Sequence, residues 1–536
     1  MANVPSPYNE PVRSYAPHSP ERAELKAALD AAAKQQLEIP VLVGAEEVKT
    51  GRMIEVTMPH DHQHVLATAH EASAEHVHAA IEAALVARKS WSRTPFEDRA
   101  AIFLRAADLL CGKWRQRINA ACMLGQSKTC YQSEIDAVCE LADFWRFNVA
   151  FAEQIQAEQP ISPRGIWNRI DYRPLEGFIF AISPFNFLSI AANLPTAAIL
   201  MGNVALWKPS NTSLLGCWEM IALLREAGLP EGVLSLLPGA GKEQGDAALA
   251  SKHLSGVHFT GSTPTFQALW QGIANNLDHY RTFPRLVGET GGKDFIVAHE
   301  SADPQALITA ISRGAFEYQG QKCSAASRIY VPKALWAEVR DGVAADMRSM
   351  KFGDIRDFSN FGGAVIDERA FDKISGYVDL AKSTAKVVAG GTYDKSVGWF
   401  VQPTLAEVDD PKHRLMQEEI FGPVASVYPY EESWSDVLTL VDSTSPYALT
   451  GAVFANDRAA ARIAEDTLRD SAGNFYINDK PTGAVVGQQP FGGARKSGTN
   501  DKAGLHLNLL RWVSPRSIKE NLGPATDYRY PFLDAD

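Results

Sequence analysis

The stretch that decides the fold is GFIFAISPFNFLSIAANLPTAAILMG, residues 177–202. It carries no charged side chain and is long enough to span a bilayer, but Pro184, Asn186, Asn193 and Pro195 interrupt it. It divides naturally into GFIFAI as a buried strand, SPFNF as a turn and LSIAANLPTAAILM as a packed helix. We therefore predict a strand–turn–helix unit of a buried sheet rather than a membrane span.

Further units of the same kind follow along the chain. Short apolar runs that alternate with helices predict a parallel sheet covered on both faces. Because right-handed crossovers bring the carboxyl ends of these strands to one edge, we expect ligands to bind there. The predicted strands are 177–182, 203–210, 232–239 and 256–262, and the predicted helices are 188–201, 213–229, 243–252 and 265–277.

Composition indicates a large globular protein with more than one core. The 536 residues predict two or three domains, and 46% hydrophobic with 21% charged residues is ordinary for this class. The net charge of −11 offers no positive field for nucleic acid or an anionic membrane. Six scattered cysteines without a CxxC pair favour a reducing compartment. No targeting segment is evident in the Pro-rich N-terminus, which we expect to be a loose arm in a cytoplasmic protein, or a matrix protein if a mitochondrial presequence has been removed.

Three weak signals for a nucleotide fall on the predicted ligand edge. GAGKEQG (239–245) is glycine-rich but departs from the dinucleotide fingerprint, so a plain turn fits equally. Gly261 and Ser262 precede a helix, where they could offer N–H groups to a phosphate or merely cap the helix. Lys208 at a strand end could hold ribose hydroxyls, or be an exposed lysine. Their position on one edge gives the three signals more weight together than singly.

A second block places a carboxylate and a cysteine beside small residues. RLVGETGGKDF (285–295) sets Glu289 before two glycines. A helix predicted from Ser301 towards Gly320 ends just before Cys323, which is surrounded by glycine, serine and alanine. A substrate has room to approach this thiol, but buried inert cysteines are also common. From these residues alone, nucleophile and inert thiol both stay open.

Several motifs together resemble the aldehyde dehydrogenase superfamily. The run SAGNFYINDKPTGAVVGQQPFGGARKSGTNDKAG (471–504) is similar to the branch that oxidises L-glutamate gamma-semialdehyde. The resemblance covers roughly residues 20–520 and implies an α/β fold with a Rossmann-like cofactor domain, an α/β catalytic domain and a small β oligomerisation arm. Its other motifs are ISPFNF, WKPS, FTGS, GETGGK, GQKCSAASR and EEIFGPV. The implied boundaries are 1–160 with 178–290 for the cofactor domain, 291–506 for the catalytic domain, and 161–177 with 507–536 for the arm and tail.

The resemblance implies the oxidation of an aldehyde to an acid, with NAD as the cofactor. Cys323 would attack the carbonyl to give a thiohemiacetal, and Asn186 would donate to the oxyanion. Glu289 would activate the water that hydrolyses the later thioester. Many relatives have glutamate where this chain has Ser210 and Asn211, so the preference for NAD over NADP rests on the branch. The implied cofactor contacts are Ser183, Lys208, Ser210, Gly261, Ser262, Glu419 and Phe421.

The resemblance also implies a set of substrate contacts. Phe187 and Phe491 would sandwich the aliphatic stem, and Glu140 would lie at the end of the pocket. Taken alone, the two phenylalanines are interpreted as ordinary core residues, and Glu140 could equally be a surface helix residue. Some relatives have serine in place of Ala484, so only the backbone N–H can serve here. The full implied set is Glu140, Phe187, Lys322, Ser324, Gly483, Ala484 and Phe491.

Other readings of the sequence lead to different classes. A thiol hydrolase would need a histidine partner, and no histidine lies in a motif. A catalytically silent relative is disfavoured because Cys323, Glu289 and Asn186 are all present. A dehydrogenase of another short semialdehyde, such as succinate semialdehyde, is the alternative within the enzyme class.

HDHQH (60–64) is interpreted as a solvated loop, so no metal is predicted. An exposed ribbon from the arm would need a partner, which predicts a homodimer at least.

Overall fold

The computed structural model describes residues 3–534. Within this range the chain forms two seven-stranded sheets and four smaller ones. The first sheet has, in spatial order, the strands Arg285–Glu289, Leu254–Thr260, Phe178–Ile182, Ala205–Lys208, Leu234–Leu236, Val41–Val43 and Glu46–Val48. The second has Lys386–Ala389, Thr404–Glu407, Val424–Tyr430, Ala326–Pro332, Asp294–Ala298, Thr450–Phe454 and Asn474–Ile477.

The first sheet contains the predicted strand–helix units. Its central strands pair in parallel and are almost wholly buried, as their continuous apolar runs predict. The predicted strands and helices are confirmed, with ends that differ by a few residues. Val41–Val43 and Glu46–Val48 extend the sheet antiparallel, which the sequence did not indicate. The helices of this part are Leu188–Leu200, Leu214–Ala227, Gly241–Leu249 and Thr263–Ala274.

The second sheet separates two hydrophobic clusters. Phe295 and Val297 face one cluster, whereas Ile296 and Ala298 face the other. This alternation follows from the two-residue period of a strand, and burial on both faces explains the unbroken apolar run. The helices that cover this sheet and its surroundings are Pro304–Phe316, Lys333–Ser349, Glu368–Thr384, Arg414–Gln417, Trp434–Thr444 and Arg458–Thr467.

The remaining elements complete the N-terminal part of the chain and the predicted oligomerisation arm. Ile166–Pro174 and Val513–Asn521 pair antiparallel over nine residues in a separate ribbon. The domain boundaries given above stay predictions. The other helices are Pro20–Ala32, Ala74–Trp91, Phe96–Cys111, Arg115–Gln126, Cys130–Ser133, Leu141–Ala157 and His506–Leu510, with a π-helix at Glu134–Glu140 and 3₁₀ turns at Asn211–Ser213, Glu317–Gly320 and Pro531–Leu533. The other strands are Leu37–Ile39, Met53–Met58, Asp61–His70, Tyr393–Asp394, Phe400–Val401, Tyr447–Ala448 and Ala494–Arg495.

The helix that precedes the cysteine is shorter than expected. It ends at Phe316, and Tyr318 and Gln319 adopt left-handed φ angles of 50° and 54°. Non-glycine residues rarely occupy this region, so burial must hold them there. Gln319 is indeed buried, and its amide donates to Ser127 and Ala364 carbonyls at 3.1 and 2.6 Å. The break turns the chain so that the following residues enter the site.

The N-terminal arm is packed, so the expectation of a loose segment is wrong. Tyr15 is 1% exposed, and its hydroxyl donates to Glu134 Oε2 at 2.7 Å. The Glu10 carboxylate pairs with Arg115 at 2.7 Å and Arg146 at 2.9 Å. A Pro-rich composition indicated the lack of regular secondary structure, but buried aromatic and ionic anchors order a segment without a helix.

The histidine-rich run begins a strand, so its interpretation as a solvated loop is also wrong. Strand Asp61–His70 pairs antiparallel with Met53–Met58. His60, directly before it, is 3% exposed, and its Nδ1 lies 3.2 Å from Ser127 Oγ. Burial lowers the pKa of His60 to about 4, so this ring is neutral at pH 7. In the part of the chain that the structure describes, no three potential metal ligands cluster.

Stretch 177–202 is confirmed as a strand, a turn and a helix rather than one continuous span. Across residues 3–534, the structure contains no helix that combines the length and the apolar character needed to cross a bilayer. Pro195 lies inside the helix Leu188–Leu200, where its lack of an N–H is tolerated in a buried, packed environment.

Candidate active site

Two cavities meet at Cys323. The first cavity has a volume of about 530 Å³ and lies between the carboxyl edge of the first sheet and the segment around Glu419. The second has a volume of about 370 Å³ and is walled by the segment Glu134–Glu140 and the loop 480–486. Cys323 and Ile190 line both cavities. The sulfur can therefore be reached from two sides, which is what a group that must meet two ligands requires.

The first cavity brings together every residue predicted to contact a cofactor. Lys208 faces it with a single hydrogen bond among the described residues, to the Pro209 carbonyl at 3.0 Å. Burial lowers the pKa of Lys208 to about 8, so this ammonium gains from a further polar partner. The predicted residues on its wall are Ser183, Lys208, Ser210, Gly261, Ser262, Glu419 and Phe421.

A carboxylate lies towards the cysteine end of the same cavity. Glu419 Oε1 accepts from the Gly292 N–H at 2.9 Å, and burial raises the pKa of Glu419. A Cβ at Gly291 would lie 2.4 Å from this carboxylate, and one at Gly292 would lie 2.3 Å from the Cys323 carbonyl. The two glycines of GETGGK therefore permit Glu419 and Cys323 to approach one backbone segment. Lys208 and Glu419 together fit a ligand with hydroxyl groups near both ends, as a dinucleotide has.

Gly261 and Ser262 lie where the helix Thr263–Ala274 begins. Ser262 Oγ accepts from the Thr265 N–H at 3.3 Å, so the capping alternative is realised. Both residues also line the first cavity, at the positive end of the helix dipole. A Cβ at Gly261 would lie 2.7 Å from the Phe259 ring, so this position needs glycine. Capping and a phosphate contact are therefore compatible here.

The second cavity brings together every residue predicted to contact a substrate. Lys322 Nζ pairs with Glu317 at 3.1 Å, and Ser324 Oγ lies 2.9 Å from Thr482 Oγ1. Lys322 is thus already paired within the protein and contributes a shielded charge. The predicted residues on its wall are Glu140, Phe187, Lys322, Ser324, Gly483, Ala484 and Phe491.

Glu140 is a partly buried acid on the wall of the second cavity rather than a surface helix residue. It ends the π-helical segment Glu134–Glu140, and its Oε2 lies 2.8 Å from Ser189 Oγ. Burial, helped by the nearby Asp136 carboxylate, raises the pKa of Glu140 to about 8. Ser189 Oγ also lies 2.7 Å from Asp136 Oδ1, and one hydroxyl proton cannot serve two ionised carboxylates. A neutral Glu140 that donates to Ser189, which in turn donates to Asp136, satisfies the three groups.

Asn186 lies in the SPFNF turn, on the wall of the first cavity. Its Nδ2 donates to the Gln321 carbonyl at 3.1 Å, two residues before Cys323. This bond ties the turn to the cysteine segment and leaves the second amide hydrogen of Asn186 for a ligand oxygen. The Gln126 amide donates to the Phe185 carbonyl and holds the turn from the other side.

The Cys323 thiol lies in an acidic setting. Burial raises its pKa, and the Asp294, Glu289 and Glu419 carboxylates raise it further. The structure therefore holds the sulfur as a protonated thiol, and a proton acceptor is needed before it can act as a nucleophile. The available acceptors are carboxylates whose own pKa values are raised, which brings them closer to that of the thiol.

Glu289 ends the strand Arg285–Glu289 but does not line either cavity among the described residues. Its Oε2 accepts from the Gly493 N–H at 2.9 Å. Burial raises the pKa of Glu289 well above its usual range, although Gly493 and the positive charge of Lys502 act in the opposite direction. Glu289 is thus close enough to Cys323 to affect its pKa, in a position turned towards the 492–493 backbone.

Comparison with known proteins identifies the family of this chain. The model of the aldehyde dehydrogenase family matches residues 46–518. The chain belongs to the aldehyde dehydrogenase family. The family and the α/β fold class predicted from the motifs are therefore confirmed.

Individual relatives of this aldehyde dehydrogenase carry the name of the predicted branch. The mitochondrial delta-1-pyrroline-5-carboxylate dehydrogenase of Dictyostelium discoideum is 49% identical over 538 residues, covering 99% of this chain and 96% of that protein. The human protein of the same name is 49% identical over 529 residues, covering 98% and 94%. The crystal structure of the Delta-pyrroline-5-carboxylate dehydrogenase from Mycobacterium tuberculosis bound with NAD has a TM-score of 0.96 at 54% identity, covering 100% and 99% of the two chains.

Sequence reasoning missed the residues that orient the turn of this aldehyde dehydrogenase. The helix Leu188–Leu200 has Phe187 at its N-cap, which cannot cap it. Asp136 takes that role from another helix: it accepts from the N–H groups of Leu188 and Ser189, both at 3.0 Å. Lys128 Nζ pairs with Asp136 at 2.6 Å and lies 4.2 Å from the Phe187 ring centroid. The missing cap after SPFNF was the available signal, since four N–H groups need partners.

Proposed function

We propose that the protein oxidises L-glutamate gamma-semialdehyde, which is in equilibrium with 1-pyrroline-5-carboxylate, to L-glutamate with NAD. The observation that carries this proposal is the position of Cys323 on the shared wall of two cavities. One cavity holds the residues suited to a dinucleotide, and the other holds those suited to a short polar aldehyde. The names of the relatives, at 49% to 54% identity, support the same substrate and cofactor.

The residues of the chain divide the chemistry among them. The Cys323 thiol gives its proton to a neighbouring carboxylate as its sulfur adds to the aldehyde carbon, and the carbonyl oxygen becomes an oxyanion that accepts from Asn186 Nδ2 and the Cys323 N–H. After the carbon has lost its hydrogen as hydride, a thioester remains on the sulfur. Glu289 takes a proton from water, the water oxygen attacks the thioester carbon, and the sulfur leaves as thiolate. Glu289 then gives up the proton it took, the thiolate regains a proton, and the protein returns to its starting state with the acid released.

The first cavity would hold NAD, which supplies the hydride acceptor when it is bound. Lys208 and Glu419 would hold ribose hydroxyls, and Ser262 and Gly261 would lie at the pyrophosphate. Phe421 packs edge-on against Phe185, with ring centroids 5.8 Å apart. Phe421 would limit the movement of the nicotinamide ring at that end of the cavity. NAD is favoured over NADP by the named relatives, although Ser210 offers no carboxylate against a 2′-phosphate.

The second cavity suits a substrate with a short stem and a polar head. Phe187 and Phe491 line the path of the stem, and the backbone at Gly483 and Ala484 can donate to a carboxylate. A neutral Glu140 can donate or accept at the end. Comparing kcat/KM for glutamate semialdehyde and succinate semialdehyde tests the proposal. A lower value for glutamate semialdehyde, or no NADH absorbance with either, contradicts it.

We further propose a homodimer as the smallest assembly. The ribbon of Ile166–Pro174 and Val513–Asn521 has two strands and unpaired edges, and such a ribbon is marginal alone. Apolar side chains beside it are exposed: Trp167 by 51% and Leu522 by 68%. A partner that covers these residues would stabilise both strands. Light scattering that finds a monomer at working concentration contradicts this assembly.

The compartment is a separate proposal. Within the described residues all six cysteines are free, which suits the cytoplasm or the mitochondrial matrix. The relatives from Dictyostelium discoideum and human are named as mitochondrial. Fractionation of cells with an antibody to this chain distinguishes the two compartments, and recovery outside both contradicts the proposal.

A further inference from the structure

The N-terminal arm forms part of the wall of the second cavity. Asn9, Glu10 and Val12 line that cavity together with the residues proposed to contact the substrate. These positions lie far along the chain from Cys323 and from the loop 482–491. The strand pairing of the two sheets does not require this contact, so the position of the N-terminal arm beside the cavity calls for a functional explanation.

Asn9 ties the N-terminal arm to the loop 482–491. Its Nδ2 donates to the Val486 carbonyl and to Asp143 Oδ2, both at 2.8 Å. Its Oδ1 accepts from Gln488 Nε2 at 2.9 Å. Three of the four hydrogen-bonding positions of one amide are thus used between three separate segments. Only asparagine has both the two donors and the acceptor on a side chain of this length. Glutamine has the same groups, but its longer side chain would be strained here.

Glu10 anchors the arm to the helices beneath it. Its N–H donates to Asp143 Oδ1 at 2.7 Å, so Asp143 holds two consecutive arm residues. Its carboxylate joins Arg115 and Arg146, which are 2% and 5% exposed. Charge-assisted bonds to buried arginines hold the arm in one place, because removing either side leaves a buried charge uncompensated.

We propose that residues 9–12 of the arm are the outer wall of the substrate cavity and set the length of aldehyde that binds productively. A wall fixed by Asn9 and Glu10 leaves room for a short stem and obstructs a longer one at Val12. The identity of the natural substrate rests on the function proposed above, but the length limit does not. Among the described residues, Asn186 is bonded to Gln321 and Glu289 to Gly493, with no hydrogen bond from the arm to either, so loss of the arm contacts should raise KM for short substrates more than it lowers kcat.

The test measures kcat and KM of the full-length enzyme with NAD for unbranched aldehydes from propanal to octanal and for glutamate semialdehyde. In Asn9→Leu, we expect KM for glutamate semialdehyde to rise about tenfold, as for the loss of one to two net hydrogen bonds. The octanal-to-butanal ratio of kcat/KM should rise by a similar factor. In Val12→Phe, which narrows the cavity, the same ratio should fall. KM for NAD should stay unchanged in both.

Ser6→Ala is the matched control, since Ser6 belongs to the arm but is exposed and does not line the cavity among the described residues. Folded variants with the length profile of the wild type overturn the proposal. If Asn9→Leu fails to fold, the Val12→Phe profile decides, because Val12 is 45% exposed and tolerates a larger side chain. A wild-type enzyme inactive on glutamate semialdehyde but active on butanal removes the proposed function and leaves the length test intact.

Discussion

The two cavities that meet at Cys323 differ in how their charged groups are satisfied. In the first, Lys208 has one hydrogen bond to a carbonyl, and Glu419 has one from a backbone N–H. In the second, Lys322 is paired with Glu317, and Glu140 is bonded to Ser189. The first cavity leaves both of these groups room for a further partner, whereas the second pairs Lys322 and Glu140 within the protein and, among the described residues, leaves the Arg313 and Lys480 side chains on its wall without an ion pair. The difference teaches that cofactor binding depends on a few partly buried groups with one hydrogen bond each, and that substrate binding draws on shape, backbone donors and the cations of Arg313 and Lys480.

The largest expected effect is that of Cys323→Ala, because this residue belongs to both cavities. Turnover should fall by on the order of 10⁴-fold or more, since no other group can form the covalent bond. NAD affinity, measured by fluorescence titration, should stay close to wild type. Cys130→Ala is the matched control, as Cys130 lines neither cavity among the described residues. Turnover that survives in Cys323→Ala would mean that another residue is the nucleophile.

Glu289→Gln should have the next largest effect, on the hydrolysis of the thioester that follows hydride transfer. We expect kcat to fall by roughly 10²- to 10⁴-fold, the range for loss of a general base. Because burial raises the pKa of Glu289, its ionised fraction grows with pH, so wild-type thioester hydrolysis should speed up as pH rises through that pKa. The variant should lose this rise.

Pre-steady-state absorbance distinguishes the step. A burst of NADH should persist in Glu289→Gln, since the acid acts after the hydride has left. Glu465→Gln, at an exposed position, should behave as wild type in both measurements. Loss of the burst in the Glu289 variant alone would place this carboxylate before the hydride step.

Lys208→Ala tests whether the first cavity depends on its incompletely bonded charge. The Kd for NAD should rise by roughly 10- to 100-fold, as for loss of hydrogen bonds to a charged group. KM for the aldehyde at saturating NAD should hardly change. The exposed Lys242, paired with Asp246 at 2.6 Å, supplies the control variant Lys242→Ala. Equal changes in both constants would contradict the separation of the two cavities.

Glu140→Gln should have the smallest effect on activity near pH 7, because glutamine resembles the neutral acid. Burial raises the pKa of Glu140 to about 8 in the folded state, from its ordinary value of 4.5. A raised pKa stabilises the folded state below the unfolded value, and that contribution is lost as pH rises towards the folded value. Wild type should therefore lose stability relative to the variant between about pH 4.5 and 8. Thermal melts of both across this range check it, and parallel curves contradict a neutral Glu140.

Much of the site could be predicted because motifs report local backbone chemistry. The strand–turn–helix of 177–202 followed from its apolar pattern and its prolines, and the placement of Lys208 and Ser262 followed from parallel topology. GETGGK indicated a carboxylate beside small residues, and only the structure shows that Glu419 and Cys323 approach the backbone of its glycines. Local pattern was insufficient for HDHQH, because the same residues suit a loop or the start of a strand.

The residues that were missed act over long sequence distances. Asp136 caps a helix that begins at Leu188, and Asn9 bonds to Val486. No spacing rule links such positions, since loop closure and packing decide which segments meet. Glu140 had no distinguishing context in sequence either: its raised pKa arises from burial that the surrounding helices create.

The sequence by itself determined the family and the four central strand–helix units of the first sheet, because these depend on residue type and short-range spacing, and through the family resemblance it named the reactive groups. Only the tertiary structure decided that Cys323 lies where two cavities meet, that Glu140 is a partly buried acid with a raised pKa and that the N-terminal arm is part of the wall. These properties depend on which distant segments exclude water from one another, and burial of that kind is a property of the packed chain rather than of any stretch within it.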